Sequence, residues 1–380
     1  MHSRLARGAI RRRRLLEKIA LLCHCGAGLQ AIASPFCAAV RELIDADAGL
    51  LIWIGDDGQP SGFYHETAPP ELKDLFVTRF DDLFNDGEEI SAHGLVCGEG
   101  PEIGKMLAPG MQETFERGNI YHHLCVPINH RYMLDMSSRG KGAFFAFNAP
   151  NRPFTQLHAE ALAPVAPLMA IALDERSDSS QWCRLGTSSA HLVASLDGHE
   201  LLAIDEEAER LLCNSHLLRQ NLPMLAQPRT APGFVMILAS LIGQLQPAEM
   251  SMPVPDGRLH CSAKRMHVLP GDGRDRQEVL MVDLELQFAK EVALIEFLFG
   301  RSLTALQRKI AYDALLGHSR TDCRERLGLS AESFKKHLRT NFLEHGVDNW
   351  EALSRLSATI VADHAAAIVR RWHVAMDRRL

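Results

Sequence analysis

The chain has 380 residues, of which 46% are hydrophobic and 23% charged, with a formal net charge of -6. That length accommodates two or three domains with separate cores, and that composition excludes wholesale disorder. No run of eighteen or more apolar residues occurs, so the sequence predicts no bilayer-spanning helix.

The start, "RRRRLLEKIALLCHCGAGLQAIAS", superficially copies a secretory signal, but Glu17, Lys18 and His24 interrupt its apolar run. The expectation is a loose basic arm over 1–14, then an amphipathic helix from about Leu15, in a cytoplasmic protein. The nine cysteines, an odd number, suit a reducing compartment better than a disulfide framework. Cys23-His24-Cys25 has the look of a metal site. On a helix, however, two cysteines two residues apart point about 200° from each other, and buried thiols are the better reading.

From 15 to 176 the chain carries strand signals. "AGLLIWIG" runs into the turn Asp56-Asp57-Gly58 and "GFYHE" follows. "HHLCVPI" and "GAFFAFN" read as two more strands, joined by a polar loop, "NHRYMLDMSSRGK". "PFTQLHAEALAPVAPLMAIALDER" has helical spacing with kinks expected at Pro164 and Pro167, and "SDSSQ" reads as a linker. His122, His123 and Cys125 could suggest haem or bilin ligation. Neighbours on a strand face opposite sides, and one buried, hydrogen-bonded histidine explains them better.

A second unit, 187–287, opens with "HLVASLDGHELLAIDEEAERLL": strand, Asp197-Gly198 turn, strand, and a helix capped by Asp205. Turns at Asp256-Gly257 and Asp272-Gly273 flank "LHCSAKRMHVL", with "EVLMVDLELQ" after them. These predict a small antiparallel sheet with helices on one side. A connecting helix, "FAKEVALIEFLF", covers 288–300.

These two segments resemble known sensor domains. "CVPI…GAFFAFNAPNRPFTQLHAEALAPVAPLMAIAL" is similar to the C-terminal half of GAF domains, and "LVASLDGHELLAIDEEAERLL" resembles the opening of a PAS domain. Sheets in both families wrap a pocket that takes haem, flavin, bilins, cyclic nucleotides, small aromatics or nothing. The resemblance therefore implies a possible small-molecule effector, and no motif here names a cofactor.

Charge is uneven. From Arg301 onward there are 14 Lys+Arg against 9 Asp+Glu, and before it 27 against 38. A basic tail on an acidic body points to the tail as the part that meets a polyanion. Within 301–356 four helices are expected. The first runs from the N-cap Thr304 to Gly317, the second over about Thr321 to Leu327, and the third from Ala331 to about Glu344. A tight turn, Gly328-Leu329-Ser330, precedes the third, and the fourth starts near Trp350. On the third helix Ala331, Phe334, Leu338 and Phe342 share one face. Ser333, Lys336 and Thr340 stand opposite, with Lys335, His337 and Arg339 on the flanks. A face that is small, hydroxylated and cationic suits a major groove, where hydroxyls and amines reach base edges and phosphates.

The segment resembles the LuxR-type helix-turn-helix. Leu303-Thr304, Gly317 with Ser319, Glu325-Arg326-Leu327-Gly328-Leu329-Ser330, Lys335 with His337, and Gly346-Val347 all stand at that family's spacing. The resemblance implies that Ala331–Glu344 is a recognition helix for double-stranded DNA. The candidate contacts are Arg320, Thr321, Ser330, Ser333, Lys335, Lys336, His337, Arg339 and Thr340. Ala305-Leu306-Gln307 departs from the family's Pro-Arg-Glu, and Phe334 from its valine. Arg324 replaces a small alanine at the contact between the second and third helices. It is expected either to snorkel outward or to push the helices apart. It must find an acid, Asp322, Glu325 or a sensor-domain carboxylate, or turn into solvent, and a contact to the acidic body could hold the basic module in an off state.

The extension 357–380 continues a stripe of Leu353, Leu356, Ile360, His364, Ile368, Trp372 and Ala375. That stripe is a seam between two protomers or against the chain's own sensor domains, with a homodimer the preferred reading. The fold class expected is multidomain α+β: GAF-like and PAS-like antiparallel sheets with helices, then an all-α helix-turn-helix. The function expected is transcriptional regulation by a DNA-binding protein that senses a small molecule or partner. The alternative is a protein–protein signalling scaffold with a degenerate helix-turn-helix used only for dimerisation. No Ser/His/Asp order, phosphate loop or paired-carboxylate motif suggests an enzyme.

Overall fold

A computed structural model describes residues 2–54, 60–65, 101–104, 132–138, 142–148, 152–174, 180–186, 190–215, 229–242, 247–268 and 277–377. It is mixed α+β, with two antiparallel sheets and a C-terminal helical region. Two compact units are present: 1–182 with 289–368, and 183–288 with 369–380. The turns at Asp56-Asp57-Gly58 and Asp272-Gly273, the strand "HHLCVPI" with its His122, His123 and Cys125, and Trp372 and Ala375 as side chains lie outside the described residues.

In the first unit, α1 (His2–Cys23) and α2 (Ala33–Ile44) precede β1 (Ala48–Ile54), β2 (Pro60–His65), β3 (Pro101–Gly104), β4 (Tyr132–Ser138) and β5 (Gly142–Asn148). The sheet order is β2-β1-β5-β4-β3. Residues 1–14, expected as a loose arm, are helical from His2 and continue without a break into the amphipathic part of α1. Arginine is a good helix former, and Leu15, Ile19 and Leu22 anchor the same helix in the core. The expected polar loop at 129–141 contains β4. Its backbone pairs along β5 from Tyr132↔Asn148 to Ser138↔Gly142.

Pro164 and Pro167 do break the following helix. It becomes α3 (Gln156–Leu162) and α4 (Ala166–Asp174), separated by a turn at 163–165. Leu162, Val165 and Met169 nevertheless all face one core, with Ile19, Phe36, Val40, Leu51 and Phe144. Phe36 meets Phe144 edge-on at 6.1 Å. Arg152 ties the two strand ends together through Asp45, at 3.0 Å, and Asp47. Cys23 and Cys37 are buried thiols in this core, and His24 turns its Nδ1 to the Ala20 carbonyl at 2.8 Å.

The second unit is built on β6 (Trp182–Arg184), β7 (Ala190–Ser195), β8 (Glu200–Ile204), β9 (Arg229–Thr230), β10 (Ala248–Val254), β11 (Gly257–Val268) and β12 (Gln277–Ala289). The strands run in the order β10-β11-β12-β7-β8-β9, with β6 beside β12. Between them come α5 (Glu206–Asn214) and α6 (Gly233–Leu241). Asp205 caps α5 as expected, accepting from Ala208 N at 2.7 Å, and its other oxygen accepts from His191 N at 2.7 Å. At the Asp197-Gly198 turn only glycine fits, because φ is +77° and a Cβ would stand 2.8 Å from the Met236 Cα.

β12 continues to Ala289, so the expected connecting helix starts two residues later than the 288 boundary, as α7 (Lys290–Phe299). After it, in the first unit, come α8 (Ala305–Leu315), α9 (Arg320–Arg326), α10 (Ala331–His345) and α11 (Trp350–Asp377). The first part of the stripe on α11 packs within the chain: Leu353 lies with Ile310, Phe334 and Leu338, and Ile360 with Leu294, Leu298 and Ala311. These contacts are to α7, α8 and α10, which are neither a second protomer nor the sensor domains of the two expected readings. Two stretches among the described residues, Gln156–Leu173 and Trp350–Arg371, are long and apolar enough to cross a bilayer by length and composition alone, a test that core helices also pass.

Candidate nucleic-acid interface

The four C-terminal helices are fixed by local chemistry that the sequence announces. Thr304 and Gln307 form a capping box, with Gln307 N donating to Thr304 Oγ1 at 3.4 Å and Thr304 N donating to Gln307 Oε1 at 2.8 Å. Gly317, at φ +86°, ends α8. The Ser319 hydroxyl then caps α9, accepting from Asp322 N at 3.1 Å. Gly328, at φ +61°, turns the chain, and Leu329 N closes the turn on the Arg324 carbonyl at 3.1 Å. Ser330 caps α10 by accepting from Ser333 N at 3.2 Å, so its hydroxyl is already engaged.

Inside this assembly Phe334, Leu338, Ile310, Ala314, Cys323 and Trp350 form one core. The larger Phe334 finds room against the Trp350 ring at 6.2 Å. Trp350 in turn donates Nε1–H to the His318 carbonyl at 3.1 Å. Arg326 binds Asp313 at 2.6 Å and so straps α9 to α8. Burial pushes the Cys323 thiol up to about 12, helped by a hydrogen bond to Asp313 and that residue's charge. Arg324 snorkels: its side chain is 39% exposed and meets Glu325 of its own helix at 3.6 Å. That contact is local, not the expected latch to the sensor region.

With Phe334 and Leu338 turned inward, the opposite side of α10 is open. Lys335, Lys336, Arg339 and Thr340 are exposed there, and Ser333 and His337 are half-buried at its borders. Arg320 and Thr321 are exposed at the first turn of α9. All nine candidate residues therefore reach the surface, seven of them on α10 or its cap. Ala331, expected on the apolar face, is exposed at the first turn instead. The open face carries three fixed cations and two hydroxyl side chains on a rigid scaffold, so it can offer charge-assisted hydrogen bonds to anionic oxygens.

The far side of α10 held surprises for sequence reasoning. Asn341 is fully buried and donates Nδ2–H to the Gln307 carbonyl at 3.2 Å. His345 stacks on Phe297 at 5.5 Å, and burial together with Arg301 pushes its pKa down, with Glu344 opposing. Glu344 itself accepts from Ser302 N at 3.2 Å. Arg308 is 4% exposed, although as an arginine it reads as a surface residue. The available signal was its helical spacing with Ala311 and Leu315, which places it on the buried side of α8. No protein-family model matches the chain, and comparison with curated proteins finds no match either.

Proposed function

We propose that the chain is a cytoplasmic, DNA-binding transcriptional regulator in which GAF-like and PAS-like sensor units control a LuxR-type helix-turn-helix. The observation that carries this reading is the open cationic face of α10, set behind the Gly328 turn and braced by α8 and α11. A short helix, a glycine turn and a basic second helix are the parts of a module that lays its recognition helix in a major groove. The sensor assignment is supported by the two antiparallel sheets, in which β1 lies between β2 and β5 and β7 between β8 and β12. A small molecule or a protein partner acts on those units, and paired half-sites on DNA favour a homodimer as the working form.

The test is binding of labelled duplex promoter fragments by the full chain, followed by fluorescence anisotropy across a salt series. Affinity should fall steeply with salt, because each neutralised phosphate contributes a slope of about -0.9 in log K against log salt. Lys336→Glu should abolish binding. Lys335→Gln should weaken it on every sequence and reduce the slope by about 1. Undiminished binding by Lys336→Glu would overturn the interface. A wild-type chain that binds no duplex would instead favour a scaffold that uses these helices for protein contacts.

A further inference from the structure

Arg14, Glu17 and Lys18 stand at helical spacing on α1, and each meets α7, α8 or the loop between them. Arg14 donates Nη2–H to the carbonyls of Phe299 and of Arg301, the latter at 2.9 Å, and thereby covers the C-terminal end of α7. Lys18 Nζ lies 2.6 Å from Glu296. Glu17 takes Arg308 in a two-pronged contact, through Nε at 3.3 Å and through Nη2. The Arg308 side chain is 5% exposed. It also donates to the Leu303 carbonyl and lies 4.6 Å from the centre of the Phe299 ring.

The next residue toward the N-terminus is Gln307, whose carbonyl holds Asn341 of α10. Asn341 has no exposure, and its Oδ1 has no hydrogen-bond partner among the described residues. One polar path therefore runs from Glu17 on α1, through Arg308 and Gln307 on α8, to the buried side of the helix that bears Lys335, Lys336 and Arg339. A buried arginine that loses the one carboxylate it meets among the described residues cannot stay buried, because an uncompensated charge in a close-packed interior is strongly unfavourable. To hydrate Arg308, α8 must shift, and α10 is hooked to it.

We propose that the Glu17–Arg308 pair is a joint that transmits displacement of the N-terminal helix to the recognition helix, so that the sensor region sets DNA affinity through the seating of α8. Its output rests on the DNA-binding reading above, whereas the joint itself does not. An effector would act by favouring the seated or the displaced arrangement of α1.

The experiment is backbone amide exchange, read by mass spectrometry, on the full chain with Glu17→Gln and with Glu17→Asp. Glu17→Gln should speed exchange across 331–345 by about tenfold or more, and Glu17→Asp, which keeps the charge, should do so less. Strands 190–204 and 257–268 serve as the control. If Glu17→Gln accelerates those too, the milder Glu17→Asp is judged by the same criterion. Faster exchange confined to 2–23 and 305–315, with 331–345 at the wild-type rate, would overturn the joint. The same variants are then titrated with duplex DNA, where a change in Kd of about tenfold is expected. Altered exchange with wild-type affinity would overturn the regulatory role. Absence of DNA binding in every protein, wild type included, would remove the DNA-binding reading and this output together, with the joint then decided by exchange alone.

Discussion

The two sheets share part of a strand order, β1 lying between β2 and β5 and β7 between β8 and β12, yet their central strands are buried differently. In the first unit Leu50, Leu51, Ile52 and Trp53 are buried in succession, as are Ala143, Phe144, Phe145 and Ala146 on the neighbouring strand. Both faces are covered at these two strands. In the second unit β7 alternates, with Ala190, Leu192 and Ala194 buried and His191, Val193 and Ser195 half-exposed. Its open face is finished with paired polar side chains: His191 with Asp283 at 2.7 Å, and Arg258 with Gln287 at 2.8 Å. The same local order thus serves strands embedded between layers and strands with one wet side. The difference is partly written in the strands, as a continuous apolar run in one and an alternation broken only by Val193 in the other.

That contrast is open to attack, starting where the effect is largest. Phe144→Ala should cost about 3–5 kcal/mol in urea unfolding of the first unit, since the ring is fully buried against Phe36. A loss near 1 kcal/mol or less would mean that this sheet has a wet side too. Asp205→Ala in the second unit should cost about 1–2 kcal/mol, because it removes a cap and leaves His191 N without its acceptor.

Acid should separate the units more gently. His345 belongs to the first unit, and its folded pKa is depressed. Below the ordinary histidine value of about 6.5 the unfolded chain therefore binds the extra proton first. Stability of this unit should be flat above that pH and fall as pH drops toward the folded value. His345→Leu should flatten the slope, measured as Tm against pH. An unchanged slope would remove His345 as its source. Smallest of all, Val193→Thr on the wet face should shift stability by no more than about 0.5 kcal/mol. A larger cost would mean that something covers that face.

Much of this architecture was legible because its signals are local. Caps at Thr304, Asp205 and Ser330 and glycines at 198, 317 and 328 act within a few residues, and each sits where its chemistry requires. What was missed depends on distant partners. β4 looks like a polar loop because Asp135, Ser137 and Ser138 dilute its apolar residues, and only pairing along β5 makes it a strand. The open cationic face could be read from one helix wheel. A wheel also puts Arg308 on the buried side of α8, but it cannot name the partner, Glu17, which lies 291 residues away in sequence. Arg324 meets an acid of its own helix, Glu325, whereas Arg308 makes the buried contact to α1.

The turn at 163–165 has one more consequence. Gln156–Leu173 has the length and mean hydropathy, 1.3, of a segment that could cross a lipid bilayer. As folded it is two rods of 7 and 9 residues, α3 and α4. At about 1.5 Å per residue they are roughly 11 and 14 Å long, against a hydrocarbon layer of about 30 Å. Two prolines thereby let a stretch greasy enough for lipid be used as packing material, because neither rod reaches from one water phase to the other.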